Sequence, residues 1–258
     1  MIKKGAALSR KLAVVLTNRI WREALRKHRV AAGVEHVSVL SQLGLCEAVV
    51  DIGANRGQFA LAVRRCFPCA RIFSFEPLPG PARVYRALFD GDSNALVFEC
   101  AIGPVNGDTT IHISERDDSS SLLPIAEMQN VLFPGTSEAG TETVRVRRLS
   151  DELNSEQIAK PALLKLDVQG FELKALEGCD DLLDKFAWVY VECSFVELYE
   201  GQAFADAVVG WLRERGFQLA GVYHMSYDSE GRAIQADFLF DRRVPPDILM
   251  PESKAGAT

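Results

Sequence analysis

No stretch of this chain approaches the roughly 18 consecutive apolar residues that a membrane-spanning helix requires. The apolar run Leu12-Ala13-Val14-Val15-Leu16 is also too short for the core of a secretory signal, and polar Thr17-Asn18-Arg19 follows it. Both absences predict a soluble, cytoplasmic protein. Positive charge is in deficit: 29 Lys and Arg stand against 35 Asp and Glu, a formal net charge of −6. An acidic body argues against general nucleic-acid binding, which rests on cation–phosphate contacts. Of the six cysteines, Cys66 and Cys69 have the Cys-x-x-Cys spacing, but no second pair completes a zinc site, and the motif falls at the end of a predicted helix. Cys46, Cys100, Cys179 and Cys193 sit in apolar segments, as small core residues of a reducing compartment do. Redox and metal roles are therefore not expected. Also missing is the dinucleotide fingerprint Gly-x-Gly-x-x-Gly, the first glycine turn being Gly53-Ala54-Asn55-Arg56-Gly57.

What remains is ordinary globular material, 48% hydrophobic and 25% charged over 258 residues, enough for one α/β core. The charge is unevenly placed. The first 30 residues carry nine Lys or Arg (Lys3, Lys4, Arg10, Lys11, Arg19, Arg22, Arg26, Lys27, Arg29) against Glu23 alone, which leaves −14 on the rest. Residues 1–45 read as an N-terminal helical extension with an imperfect apolar stripe at Ile20, Trp21, Leu25 and Val30. Its basic face suits packing on its own domain, weak contact with an anionic membrane surface, or a partner such as a second copy.

From residue 47 a βα rhythm takes over, with strands near 47–52, 71–75 and 95–101 and helices near 57–66 and 80–89. Such alternation encodes a parallel sheet, because right-handed crossovers need a helix between neighbouring strands. Residues 108–147 break it: Thr109-Thr110-Ile111-His112-Ile113 and Thr143-Val144-Arg145-Val146 alternate as half-exposed strands of an inserted hairpin. Its polar centre, 115–140, is expected to cover a substrate. The rhythm resumes with Ala162–Asp167, a helix from about Phe171, the strand Ala187–Glu192 and a helix near 203–215. Closing strands near 217–224 and 234–241 are linked by Asp228-Ser229-Glu230-Gly231, so the last strand should be antiparallel. The domain is expected over 46–244, with a tail over 245–258.

The richest segment is Ala48-Val49-Val50-Asp51-Ile52-Gly53-Ala54-Asn55-Arg56-Gly57-Gln58-Phe59, a buried strand, a glycine turn and a helix start. It aims backbone N–H groups and a carboxylate at one crevice, where a polar nucleotide-like ligand fits. Glu76, closing Arg71-Ile72-Phe73-Ser74-Phe75, lies 23 residues after Gly53, about the interval at which an acid accepts both ribose hydroxyls in βαβ nucleotide sites. These residues leave open an adenosine ligand, a nicotinamide-dependent oxidoreductase, and a non-catalytic protein that keeps the cofactor fold.

Further landmarks follow in order: Ser74-Phe75-Glu76-Pro77, Ala101-Ile102-Gly103, Leu164-Lys165-Leu166-Asp167-Val168-Gln169-Gly170-Phe171-Glu172, and Glu192-Cys193-Ser194 followed by Leu198-Tyr199. Together with Val50–Gly57 they resemble the FkbM-type S-adenosylmethionine-dependent methyltransferases over about residues 45–241. The resemblance implies a Rossmann-like methyltransferase fold: a seven-stranded, mostly parallel sheet, its last strand antiparallel, with helices on both faces. It implies methyl transfer to oxygen, often on a hydroxyl of a sugar or secondary metabolite. Where many relatives carry Glu, this chain has Gln169, which is given no catalytic role.

S-adenosylmethionine is a cationic sulfonium with a ribose diol and an amino-acid tail. Its expected contacts are Asp51, Gly53, Asn55, Gly57 and Gln58 at the tail, Phe75, Glu76 and Pro77 at the ribose, Ala101 and Ile102 at the adenine, and Asp167 near the methyl group. Transfer to a hydroxyl is an in-line displacement that needs alignment and a proton acceptor. Asp167, Glu192 and His224 are the candidates, with His112 on the hairpin a weaker one. Asp167 could alternatively cap the following helix and Glu192 could serve a structural partner. No ligand spacing argues for a metal.

Overall fold

The computed structural model describes residues 14–242. Lys3, Lys4, Arg10 and Lys11 of the predicted basic arm, and the predicted tail from Pro245, lie outside the described residues. Among those described, no helix is long and apolar enough to cross a membrane.

The lead-in is a series of short pieces. Helix α1 (Arg19–Glu23) starts at Asn18, whose side chain accepts from the Trp21 N–H, and runs into a π-helical turn, Ala24–His28. Arg29, left-handed at φ +58°, stops it, since that conformation cannot continue a right-handed helix. A 3-10 turn, Val34–His36, then enters α2 (Val37–Leu40).

The βα series follows as β1 (Ala48–Ile52), α3 (Gln58–Cys66), β2 (Arg71–Phe75), α4 (Pro79–Leu88) and β3 (Ala95–Phe98). Pro79 stands at the first turn of α4, where the absent N–H costs no bond. Next come β4 (Ala101–Ile102), β5 (Gly107–Ser114), α5 (Glu127–Leu132), β6 (Glu138–Arg147), α6 (Leu149–Glu152), β7 (Ala162–Leu166), α7 (Glu172–Cys179), β8 (Phe186–Ser194), α8 (Ala205–Glu214), β9 (Gln218–Tyr227) and β10 (Ala233–Asp241).

Seven strands form one sheet in the order β3-β2-β1-β7-β8-β10-β9. The pairs from β3 to β8 are parallel, and β10 runs antiparallel to both β8 and β9. The last strand is thus antiparallel, as expected, and it inserts inside the sheet. The predicted strand 95–101 needs correction: pairing with β2 ends at Phe98, and Ala101-Ile102 join β6 in a second sheet, β4-β6-β5.

Period-two alternation splits the main sheet's side chains between two cores. Val50, Leu164, Val189 and Phe240 face one layer with Ala175, Leu176, Val208 and Leu212 of α7 and α8. Val49, Leu163, Trp188, Tyr190 and Leu239 face the other with Phe59–Val63 of α3, Tyr85 of α4 and Trp21, Val39 and Leu40 of the lead-in. The lead-in is therefore part of the second core layer.

Candidate active site

At the carboxyl edge of the parallel strands lies a cavity of about 710 Å³, where open α/β sheets place ligands. Its wall contains Gly53, Asn55, Gln58, Phe75, Glu76, Pro77, Ala101, Ile102 and Asp167, so all the sequence-predicted cofactor residues except Asp51 and Gly57 line it. Residues 116–122 of the hairpin connection, with Gln129 and Phe133, form one side, and Gly33, Glu35 and His36 of the lead-in another.

The turn after β1 is held by close backbone contacts. Gly53 has φ +80°, and a Cβ there would lie 1.8 Å from the Asp167 carbonyl oxygen. The Gly53 and Ala54 N–H groups both donate to the Phe75 carbonyl at 3.0 Å, and Asn55 is also left-handed, at φ +45°. Gly57 serves packing, since its missing Cβ would meet the rings of Phe89 and Tyr85 at 2.9 and 3.0 Å. Glu76 is buried, its Oε2 accepting from the Asn55 N–H (2.9 Å) and its Oε1 from the Leu78 N–H (2.8 Å). Each oxygen keeps one acceptor direction, enough for two hydroxyls. Burial raises this carboxyl to about 7, against the pull of the two N–H donors.

The expectation for Asp51 is corrected by strand alternation. Its side chain points, with Val49, into the second core layer and is fully buried. There it meets Lys165, its register partner on β7, at 3.2 Å. Lys165 does line the cavity. It donates to the Gly53 carbonyl (3.3 Å) and stands 3.7 Å from Asp167. Burial opposes its charge, but Asp51 and Asp167 outweigh that and hold the ammonium above its ordinary range. Asp51 reaches the cavity only through this lysine, a residue the sequence reading assigned no role. Its signal was a lone Lys in the run Ala-Leu-Leu-Lys-Leu.

Asp167 and Glu192 are brought together by Gln169. The Gln169 amide nitrogen donates to Asp167 Oδ1 (2.6 Å) and Glu192 Oε2 (3.2 Å), while its carbonyl accepts from the Tyr199 hydroxyl (2.7 Å). Both amide protons and the oxygen are thereby engaged, which fixes the amide's orientation. Gln169 is left-handed at φ +54°, and at Gly170, φ +93°, a Cβ would press on Tyr199 at 2.9 Å. The turn is tied by Glu172, whose carboxylate accepts from the Val168 and Gly170 N–H groups at 3.1 Å each. Glu192 also accepts from Gln235 (2.8 Å). Burial first, then the charges of Asp167 and Asp237, push Glu192 well above the usual carboxylate range.

The histidines are placed differently. His224 lies within β9 and bonds Asp237 at 2.7 Å, outside the cavity wall. His112, on β5, pairs with Glu138 and is also outside it. His36, to which sequence reasoning gave no role, lines the cavity. The hairpin connection is fastened to the floor: Ser121 Oγ donates to the Gln169 carbonyl (2.6 Å), the Tyr199 hydroxyl approaches the Ser119 carbonyl (3.0 Å), and Arg56 pairs with Asp117.

Comparison with known proteins adds a family to this geometry. The family described as "Methyltransferase FkbM domain" matches residues 51–219. The 2-O-methyltransferase NoeI of Sinorhizobium fredii is 32% identical, covering 81% of this chain and 89% of its own length. Methyltransferase sdnD of Sordaria araneosa is 28% identical over 72% of this chain and 79% of its own. Hexuronic acid methyltransferase AglP of Haloferax volcanii is also 28% identical, covering 74% of this chain and 73% of itself.

Proposed function

This chain belongs to the FkbM methyltransferase family and uses S-adenosylmethionine; from that premise we propose that it methylates a hydroxyl oxygen of a small molecule, a sugar or a secondary metabolite. One observation carries the reading. A single cavity holds a buried carboxylate with two free acceptor directions, Glu76, and a bridged acid cluster, Asp167–Gln169–Glu192. The printed names of two relatives, a 2-O-methyltransferase and a hexuronic acid methyltransferase, support oxygen and sugar.

The residues fit the donor. Glu76 would accept the ribose hydroxyls, Phe75 and Ile102 would flank the adenine, and the bare backbone at Gly53 would admit the amino-acid tail beside Asn55 and Gln58. Bound, the donor supplies a methyl group on a sulfonium, an electrophile that needs no further activation. The chain must then orient the acceptor and take its proton. Asp167 and Glu192, held a fixed distance apart by Gln169, would accept the incoming hydroxyl, and Glu192, raised by burial, would keep the proton. The role once open to His224 passes to these carboxylates, because His224 does not line the cavity. Residues 116–122 would exclude water as a cover.

Calorimetry with S-adenosylmethionine, S-adenosylhomocysteine and NAD tests the donor assignment, and product analysis on a panel of hydroxylated sugars tests the acceptor. Saturable binding of the first two and O-methylated product are expected. Binding of NAD instead, or methylation at nitrogen or carbon alone, would overturn the reading.

A further inference from the structure

Next to the cavity, four side chains from four separate segments converge on one point: His36 of the lead-in, Tyr190 of β8, His224 of β9 and Asp237 of β10. The Tyr190 hydroxyl lies 3.1 Å from His36 Nδ1, 3.2 Å from His224 Nδ1 and 2.8 Å from Asp237 Oδ2. Asp237 Oδ2 is 2.7 Å from His224 Nδ1 and 3.7 Å from His36 Nδ1, and the two imidazoles and the carboxylate offer atoms all within 4.8 Å of one another. A tetrahedral ion with bonds of about 2.0–2.1 Å spaces its donors by about 3.3 Å. The observed separations bracket that value.

From this convergence we infer that His36, His224, Asp237 and Tyr190 form an N₂O₂ site for a divalent ion of the zinc class, which pins the lead-in to β8, β9 and β10. A further feature supports it. His224 takes φ +48° at a register shift between β9 and β10, a conformation that costs a non-glycine residue of order 1 kcal/mol and turns its ring toward Asp237. The charge of nearby Lys165 is directed at Asp51 and Asp167. At side-chain exposures of 18% for His36, 14% for Asp237 and 30% for His224, the site is sheltered yet open enough for an ion to enter.

The test uses the full chain after chelator treatment and dialysis. Zn²⁺ titrated by calorimetry should bind once per chain and raise the melting temperature, and Co²⁺ should give the visible absorption of a tetrahedral N/O site. His224→Ala, His36→Ala and Asp237→Asn should each weaken Zn²⁺ binding at least tenfold, whereas Cys66→Ser/Cys69→Ser should leave it unchanged. Absence of Zn²⁺ binding by the wild type, binding that survives both histidine substitutions, or binding abolished by the cysteine pair would each overturn the site. Should a substituted chain fail to fold, the wild-type Co²⁺ spectrum decides alone: an octahedral spectrum or none rejects it.

Discussion

At the residue scale, the role proposed for Glu76 carries a pH dependence. Glu76→Ala should weaken S-adenosylmethionine at least tenfold by calorimetry, about 1.4 kcal/mol for two lost hydroxyl contacts. Burial raises the carboxyl from 4.5 to about 7, so the folded free protein holds a proton that the unfolded chain releases earlier. Its contribution therefore falls as the pH climbs from about 4.5 through about 7. Hydroxyl donors favour the ionised form, so donor affinity should rise about tenfold between pH 6 and 8, and Glu76→Gln should flatten that rise. The place of Glu76 in the cavity wall was legible because an acid at a strand end has a spacing to a glycine turn. Gln169 was not, since nothing in a neutral amide announces that it will join two carboxylates across 23 residues of chain. Gln169→Glu replaces the donor with a third acid between Asp167 and Glu192. Like-charge repulsion should raise the Glu192 carboxyl further, lower kcat, and move the acid limb of the kcat profile upward by about one pH unit or more, while the donor's Kd stays within about threefold.

At the scale of elements, the strands were readable because their apolar runs are short and bounded by turn residues, and the inserted hairpin because it alternates. The break after Phe98 was not, because Ala95–Ile102 reads as one apolar stretch and only tertiary pairing with β6 takes Ala101-Ile102 away. Asp51 failed for a related reason. Its strand was correctly read, but which face an individual residue takes depends on the partner strand, and Lys165 across the register decides it. The β1 turn gives a sharp test of element geometry. Gly53→Ala would drive a Cβ to 1.8 Å from the Asp167 carbonyl oxygen, a backbone atom that cannot swing away, whereas at Gly44, φ +74°, nothing lies within 4 Å. Gly44→Ala should cost only about 1–2 kcal/mol of left-handed strain. Gly53→Ala should cost several kcal/mol or abolish donor binding, and equal melting temperatures for the two variants would refute the contact.

For the whole molecule, the sheet's two layers differ in how they are assembled. The layer holding α7 and α8 is supplied from within the βα series, but the other is completed by the lead-in. Sequence patterning showed a basic helical extension with a partial apolar stripe, and left open whether it packed on the domain or faced elsewhere. The reason is that its pieces are too short for a clear 3.6-residue period, and Arg29 interrupts them. Trp21 resolves the question: it is 1% exposed, its indole N–H donates to the Leu61 carbonyl at 3.1 Å, and Arg65 stacks over its ring at 5.2 Å. Removing a buried indole costs about 3–5 kcal/mol, a large share of the roughly 5–15 kcal/mol that holds a domain together. Trp21→Ala should therefore lower the melting temperature by roughly 10 °C. Because Gly33 and His36 line the cavity from the same lead-in, the variant should also weaken donor binding at temperatures where it remains folded. A dispensable arm would leave both unchanged, and a melting curve beside a calorimetric titration distinguishes a structural layer from an appendage.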